Sequence, residues 1–185
     1  MPVSLNSGQI GVLVLAAVLV FWALGAYNRL MAQRNAIAQA WARVAEALQQ
    51  RATVPAPLVA ALREPMAAEH GALDGLLLAH EASVRAAAEM GERPVLPTHA
   101  QTWVTAEAAL AAAATRLLAL LDQHPEALAA EPVAKLVTTW QEAQARLPFA
   151  RQLFNQEAQA YNEALALVPT CWLARVFRFR PAGLL

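Results

Sequence analysis

The residues that could carry chemistry are few and badly spaced for it. Four histidines (His70, His80, His99, His124) and one cysteine, Cys171, are the soft ligands and nucleophiles of this 185-residue chain. His70 and His80 stand ten positions apart, so on a straight helix they point to different faces about 15 Å apart along the axis. No His-Glu-x-x-His, Cys-x-x-Cys or EF-hand spacing occurs, so neither a metal site nor a cofactor is expected. Glu69/His70 and His80/Glu81 read as solvated helix neighbours, and His124, beside Pro125, as a partner for a helix C-terminal dipole. Gly-x-Ser-x-Gly and glycine-rich phosphate loops are missing too. A lone cysteine excludes an intrachain disulfide framework, and with no base near it Cys171 reads as a small apolar residue beside Trp172. The expectation is no enzyme, with no catalytic, cofactor-binding or metal residue to name.

What remains is a basic-aromatic segment, CWLARVFRFRPAGLL, in which Arg175, Arg178 and Arg180 alternate with Val176, Phe177 and Phe179. Each arginine near an anionic bilayer contributes about 1 kcal/mol, weak alone but useful on a tethered domain. Three readings stay open: lipid binding, rings plugging the base of a bundle, or contact with a partner protein. Too few arginines in a chain of balanced charge argue against nucleic acid.

The element that would position this segment stands at the other end. From Ile10 to Ala26 no residue is charged, and a helix over 5–27 would reach roughly 35 Å, enough for a ~30 Å hydrocarbon core. MPVSLNSGQ lacks the basic n-region of a signal peptide, and the exit, FWALGAYNRL, carries bulky residues near the border where a cleavage site would want small ones, so a retained anchor is expected. Trp22 and Tyr27 would sit at the headgroup level, followed by Arg29, Arg34 and Arg43. The positive-inside rule then puts residues 1–9 outside and the bulk in the cytoplasm.

Behind the anchor the chain reads as all-α. It is 58% apolar, with only seven glycines, and much of the apolar excess is alanine, a strong helix former. The expected architecture is the transmembrane helix continuing into an antiparallel up-down bundle of four long helices over 27–168, with a tail at 169–185. Helix 1 carries Leu30, Ile37, Trp41, Val44 and Leu48 on a heptad seam and stops near Arg51, before Pro55 and Pro57. Helix 2 runs from Pro57 toward Met90, kinked near Glu64 by Pro65. Thr98 with Gln101 reads as a capping box for helix 3, which carries Trp103, Leu110, Leu117 and Leu121. Helix 4 runs from Pro132 to Val168 with Trp140, Leu147, Phe154 and Tyr161 on its seam. Such parity returns the tail to the bilayer, so the basic flanks (+4 over 1–63, +3 over 143–185) face lipid and the acidic middle (−7) projects away. Arg34 and Glu157 interrupt the two seams at roughly 10 and 16 Å above the membrane. They are expected either to pair across helices 1 and 4 or to snorkel separately.

At this point the residues resemble a known family. YNRLMAQRNAIAQAW resembles the juxtamembrane signature of LemA family proteins, and RATVPAPLVAAL the proline-containing turn that follows it. RLLALLDQHPEAL resembles the family's third-helix end, and RLPFARQLFNQEAQAYNEALALVP with the basic-aromatic tail its last helix and terminus. Pro65, Pro148 and the alanine-rich third helix depart from the pattern. The resemblance implies a bacterial membrane protein with a helical bundle and no established enzymatic activity, of a family discussed as envelope scaffolds, and transfers no catalytic residue; with the positive-inside rule this places the chain in the bacterial inner membrane.

Together these readings lead to a single-pass scaffold or adaptor recruiting an unidentified protein at the bilayer. The alternatives are a signalling or sensor component, or an accessory subunit of a membrane protease. Self-association through alanine faces is left open.

Overall fold

The computed structural model describes residues 7–185. The leading part of the anchor reading, 1–6, lies outside the described residues. Helix α1 (Ser7–Ala52) runs without a break from the apolar stretch into the body. It contains no proline, and alanine and leucine dominate it. From Gly8 to Trp22 every residue is exposed; burial begins at Ala26 and Leu30. By length and composition this helix and α4 (Pro97–Leu121) could each cross a membrane. Helix α4 differs in holding Trp103, Leu110, Leu117 and Leu121 in the core.

After Thr53, whose hydroxyl donates to the Gln50 carbonyl at 2.9 Å, the chain forms α2 (Pro55–Leu62), a 3-10 turn (Ala67–Glu69) and α3 (His70–Glu92). The expected kink in one long helix is therefore a full break. Pro65 cannot supply the N–H an α-helix needs there, and its ring crowds the preceding turn. The chain turns instead on Met66 N–H to Leu62 O and Glu69 N–H to Met66 O, both 2.9 Å, with Met66 buried. The capping box at Thr98 also fails. Pro97 takes the first helical position of α4, its φ already suited to it, so Thr98 lies inside the first turn and no side chain caps the helix. Short α5 (Pro125–Ala129) precedes α6 (Glu131–Ala166), which carries Pro148 inside it. That helix stops before Val168 because a residue preceding proline, here Pro169, disfavours the α region. Val168 is exposed rather than part of the seam. Helix α7 (Thr170–Val176) follows.

Helix α1 lies along α6, and α3 along α4. Arg29 reaches Thr170, Gln33 reaches Ala160 and Gln50 meets Arg146, so the first pair is antiparallel. Ser83 meets Glu107 and Glu89 meets His99, so the second is too. Leu30, Ile37, Trp41, Leu48, Trp140, Leu147, Phe154 and Tyr161 are all buried. The core falls into two clusters. One gathers Leu30 to Leu48, Met90, Trp103 and Leu147 to Tyr161; the other gathers Val54 to Leu76, Leu110 to Leu121 and Val133 to Trp140.

Candidate functional site

Where α1 enters the body, the two basic-aromatic segments meet. Tyr27 packs against Phe177 and Phe179 with ring centroids 5.2 and 5.8 Å apart. Arg29 donates to the Thr170 hydroxyl at 3.4 Å. Helix α7 ends in a Schellman turn, with Phe179 N–H on Ala174 O (2.9 Å) and Arg178 N–H on Arg175 O (3.3 Å). Arg178 takes the left-handed position at φ 55°, where a side chain costs roughly 1–2 kcal/mol relative to glycine. The turn sends the chain back along α6. Trp172 and Val176, one turn apart on α7, are exposed with Leu167 and Val168, while Leu173 and Ala174 are buried. Trp22, Arg29, Arg175, Arg178 and Arg180 are exposed around this foot, Phe177 is 55% exposed, and Tyr27 and Phe179 are half-buried.

The returning tail lies in a groove that reads its backbone. Asn162 donates to Ala182 O at 3.0 Å and accepts the Ala182 N–H at 2.7 Å. One heptad earlier on α6, Asn155 treats Leu185 the same way, at 2.9 and 2.7 Å. Between them Gly183 leaves no room for a side chain, since a Cβ would come 2.6 Å from Ala100 Cβ and 2.8 Å from Pro97 Cα. Gly183→Ala is therefore expected to lift the tail, speeding hydrogen exchange at Ala182 and Leu185 about tenfold or more, the equivalent of one lost hydrogen bond each. Unchanged protection at both amides would contradict the clamp. Sequence reading missed Asn155 and Asn162; their seven-residue spacing carries meaning only once the tail is known to return beside them.

Arg34 and Glu157 form no ion pair. The Arg34 guanidinium instead stands 5.8 Å from the Phe179 ring centroid. The buried pair is a different one. Arg51, 2% exposed, donates to both oxygens of Glu107 at 2.8 and 2.6 Å and to Gln144 Oε1 at 3.0 Å. Ser83 donates its hydroxyl to Glu107 Oε1, and the guanidinium lies 5.4 Å from the Trp140 ring. These four polar residues come from α1, α3, α4 and α6 and sit where the two apolar clusters adjoin. Burial pushes the Glu107 carboxyl up, but the Arg51 hydrogen bonds and charge, with help from Ser83 and Arg151, outweigh it and hold the group below its ordinary range. Seam spacing could have found this pair: Arg51 stands three positions after Leu48, and Glu107 four after Trp103 and three before Leu110.

The histidines do not converge. His99 Nδ1 lies 2.9 Å from Glu89 O. His124 stands between α4 and α5: its backbone N–H donates to Leu121 O at 3.0 Å, it takes the N-cap position of α5 without a side-chain cap bond, and its Nδ1 lies 3.5 Å from Glu126. His80 Nδ1 is buried without a partner beside the polar layer. Burial and the nearby Arg51 charge push that imidazole below its usual value. Cys171 is half-buried on α7.

No curated protein gives a significant match to the chain. The model of the LemA family matches residues 40–185, beginning past the apolar run and covering the polar layer, the Asn155/Asn162 clamp and the tail. That match spans well over half of the sequence, and the chain belongs to the LemA family.

Proposed function

We propose that this protein is a non-enzymatic scaffold held in the bacterial inner membrane by one pass of α1, with its body, an up-down four-helix bundle, in the cytoplasm. The observation that carries this is the charge-free stretch from Gly8 to Asn28, wholly exposed as far as Trp22 and continuous with a folded body. In water each exposed Val, Leu or Phe of that stretch would forgo about 1.5–3 kcal/mol of burial, whereas from Gly8 to Tyr27 the helix rises about 30 Å, a hydrocarbon thickness. The arginines and rings of the foot, with exposed Trp172 and Val176, suit the headgroup layer. Exposed Asp74, Glu81, Glu89 and Glu92 on α3 offer an acidic face to a protein partner, whose recruitment raises effective concentration at the membrane. A sensor role is the second reading, favoured by the unbroken α1, through which a movement in the bilayer would reach the core.

The chain has one lysine, Lys135, exposed on α6. In intact spheroplasts a membrane-impermeant amine reagent should leave Lys135 unmodified until the membrane is opened, and carbonate should not extract the protein. Extraction of the intact chain, or labelling of Lys135 from outside, would overturn the anchored topology.

A further inference from the structure

A second feature of the foot goes beyond anchoring. A cavity of about 410 Å³ opens between α1, the α3–α4 loop and the returning tail. Arg34, Arg93, Arg178 and Arg180 line it, with Tyr161 and Phe179 among its walls. Glu92 is the only carboxylate among the lining residues. Among the described residues the ion pairs belong to Arg51, Arg63 and His124, so none of the four arginines has a carboxylate within 4 Å. Three separate segments thus line one partly apolar recess with four arginines. Like charges repel unless an anion joins them, and low-dielectric walls focus the field of such a cleft. Guanidinium matches the geometry of phosphate oxygens through paired hydrogen bonds.

We infer that this cavity is a seat for one phosphate group, bound by Arg34 and Arg93 of the body and by Arg178 and Arg180 of the tail. The Asn155 and Asn162 clamp acts as a positioning device, since it holds the tail that carries two of the four donors. The phosphate is that of a phospholipid headgroup or of a small soluble anion. The lipid source rests on the membrane reading above; the soluble one does not.

Full-length protein in phosphatidylcholine nanodiscs is titrated with inorganic phosphate by calorimetry, and phosphatidylglycerol retained from mixed micelles is counted by native mass spectrometry. Binding of inorganic phosphate that falls at least about tenfold in R34Q/R93Q, one charge-assisted contact or more, supports the seat and a soluble source. Retained phosphatidylglycerol that is lost in that variant, with no free-phosphate binding, supports the seat and a lipid source. Arg43→Gln, exposed on α1 outside the cavity, should change neither, whereas Asn162→Ala should weaken whichever ligand binds. If R34Q/R93Q matches the parent in both assays, or the parent binds neither probe, the seat does not exist. Carbonate extraction of R34Q/R93Q stays as in the parent in every case, which keeps failure of the seat distinct from failure of the anchor.

Discussion

Replacing Glu107 with alanine lowers the unfolding free energy by about 3–5 kcal/mol, a large share of what a domain of this size possesses. Most of the cost is the charge left behind. Arg51 is 2% exposed, and its Nε already has no partner. With Glu107 gone, only Gln144 and Ser83 remain as acceptors, and neither carries charge. Arg51→Met/Glu107→Leu should recover most of the loss, because well-packed apolar groups replace a buried pair at little net cost. Chemical denaturation in micelles, followed by tryptophan fluorescence, compares the three proteins. A single variant within 1 kcal/mol of the parent, roughly the worth of a surface pair, would show that the layer is wet and not a buried junction.

The same layer sets an acid limit. The Glu107 carboxyl is depressed in the folded state, so the unfolded chain takes up a proton first. Its stabilisation is complete above the ordinary carboxylate value and is lost as pH falls through the folded one. His80 acts in the same direction: its folded value is lowered from 6.5. The unfolded imidazole therefore protonates first, and stability declines as pH drops below that value. Denaturation midpoints should accordingly fall in two stages, through His80 below its ordinary value and through Glu107 below about pH 4, and the Arg51→Met/Glu107→Leu protein should lose the second, carboxylate stage.

Trp103→Ala should cost another 3–5 kcal/mol or so, from lost burial and a cavity where helices meet. Trp103 is fully buried, edge-on to Trp41 at 5.4 Å, with the Arg151 guanidinium 5.1 Å from its ring centroid. Trp41 in turn meets Phe154 edge-on at 6.2 Å, so one ring joins α4 to α1 and α6. Trp103→Phe should be far milder, about 1.5 kcal/mol or less. The indole N–H has no hydrogen-bond partner, and phenylalanine removes that unsatisfied donor along with part of the ring. Equal losses for the two variants would rule out this account. Melting curves over matched detergent conditions suffice.

Helix identity, seam residues and the exposed apolar run were legible in the sequence because each depends on neighbours three or four positions away, or on a local count of charges. Leu30, Ile37, Trp41 and Phe154 belong to that class, and so does the family resemblance carried by contiguous segments. Proline chemistry was legible too, though its strength was not. Pro65 ends a helix where a bend was expected, because the strain of a proline is relieved differently according to what the next turn can bury, here Met66. The ionic layer needed the tertiary structure. Axial heights brought Arg34 and Glu157 to similar levels, but rotation about each helix decides which charges face one another, and only Arg51 and Glu107 turn inward together. The tail lies further still from local rules. Asn155, Asn162, Pro97 and Ala100 become a groove only after α4, α6 and the Schellman turn at Arg178 are in place, since a binding surface built from distant segments has no periodicity of its own.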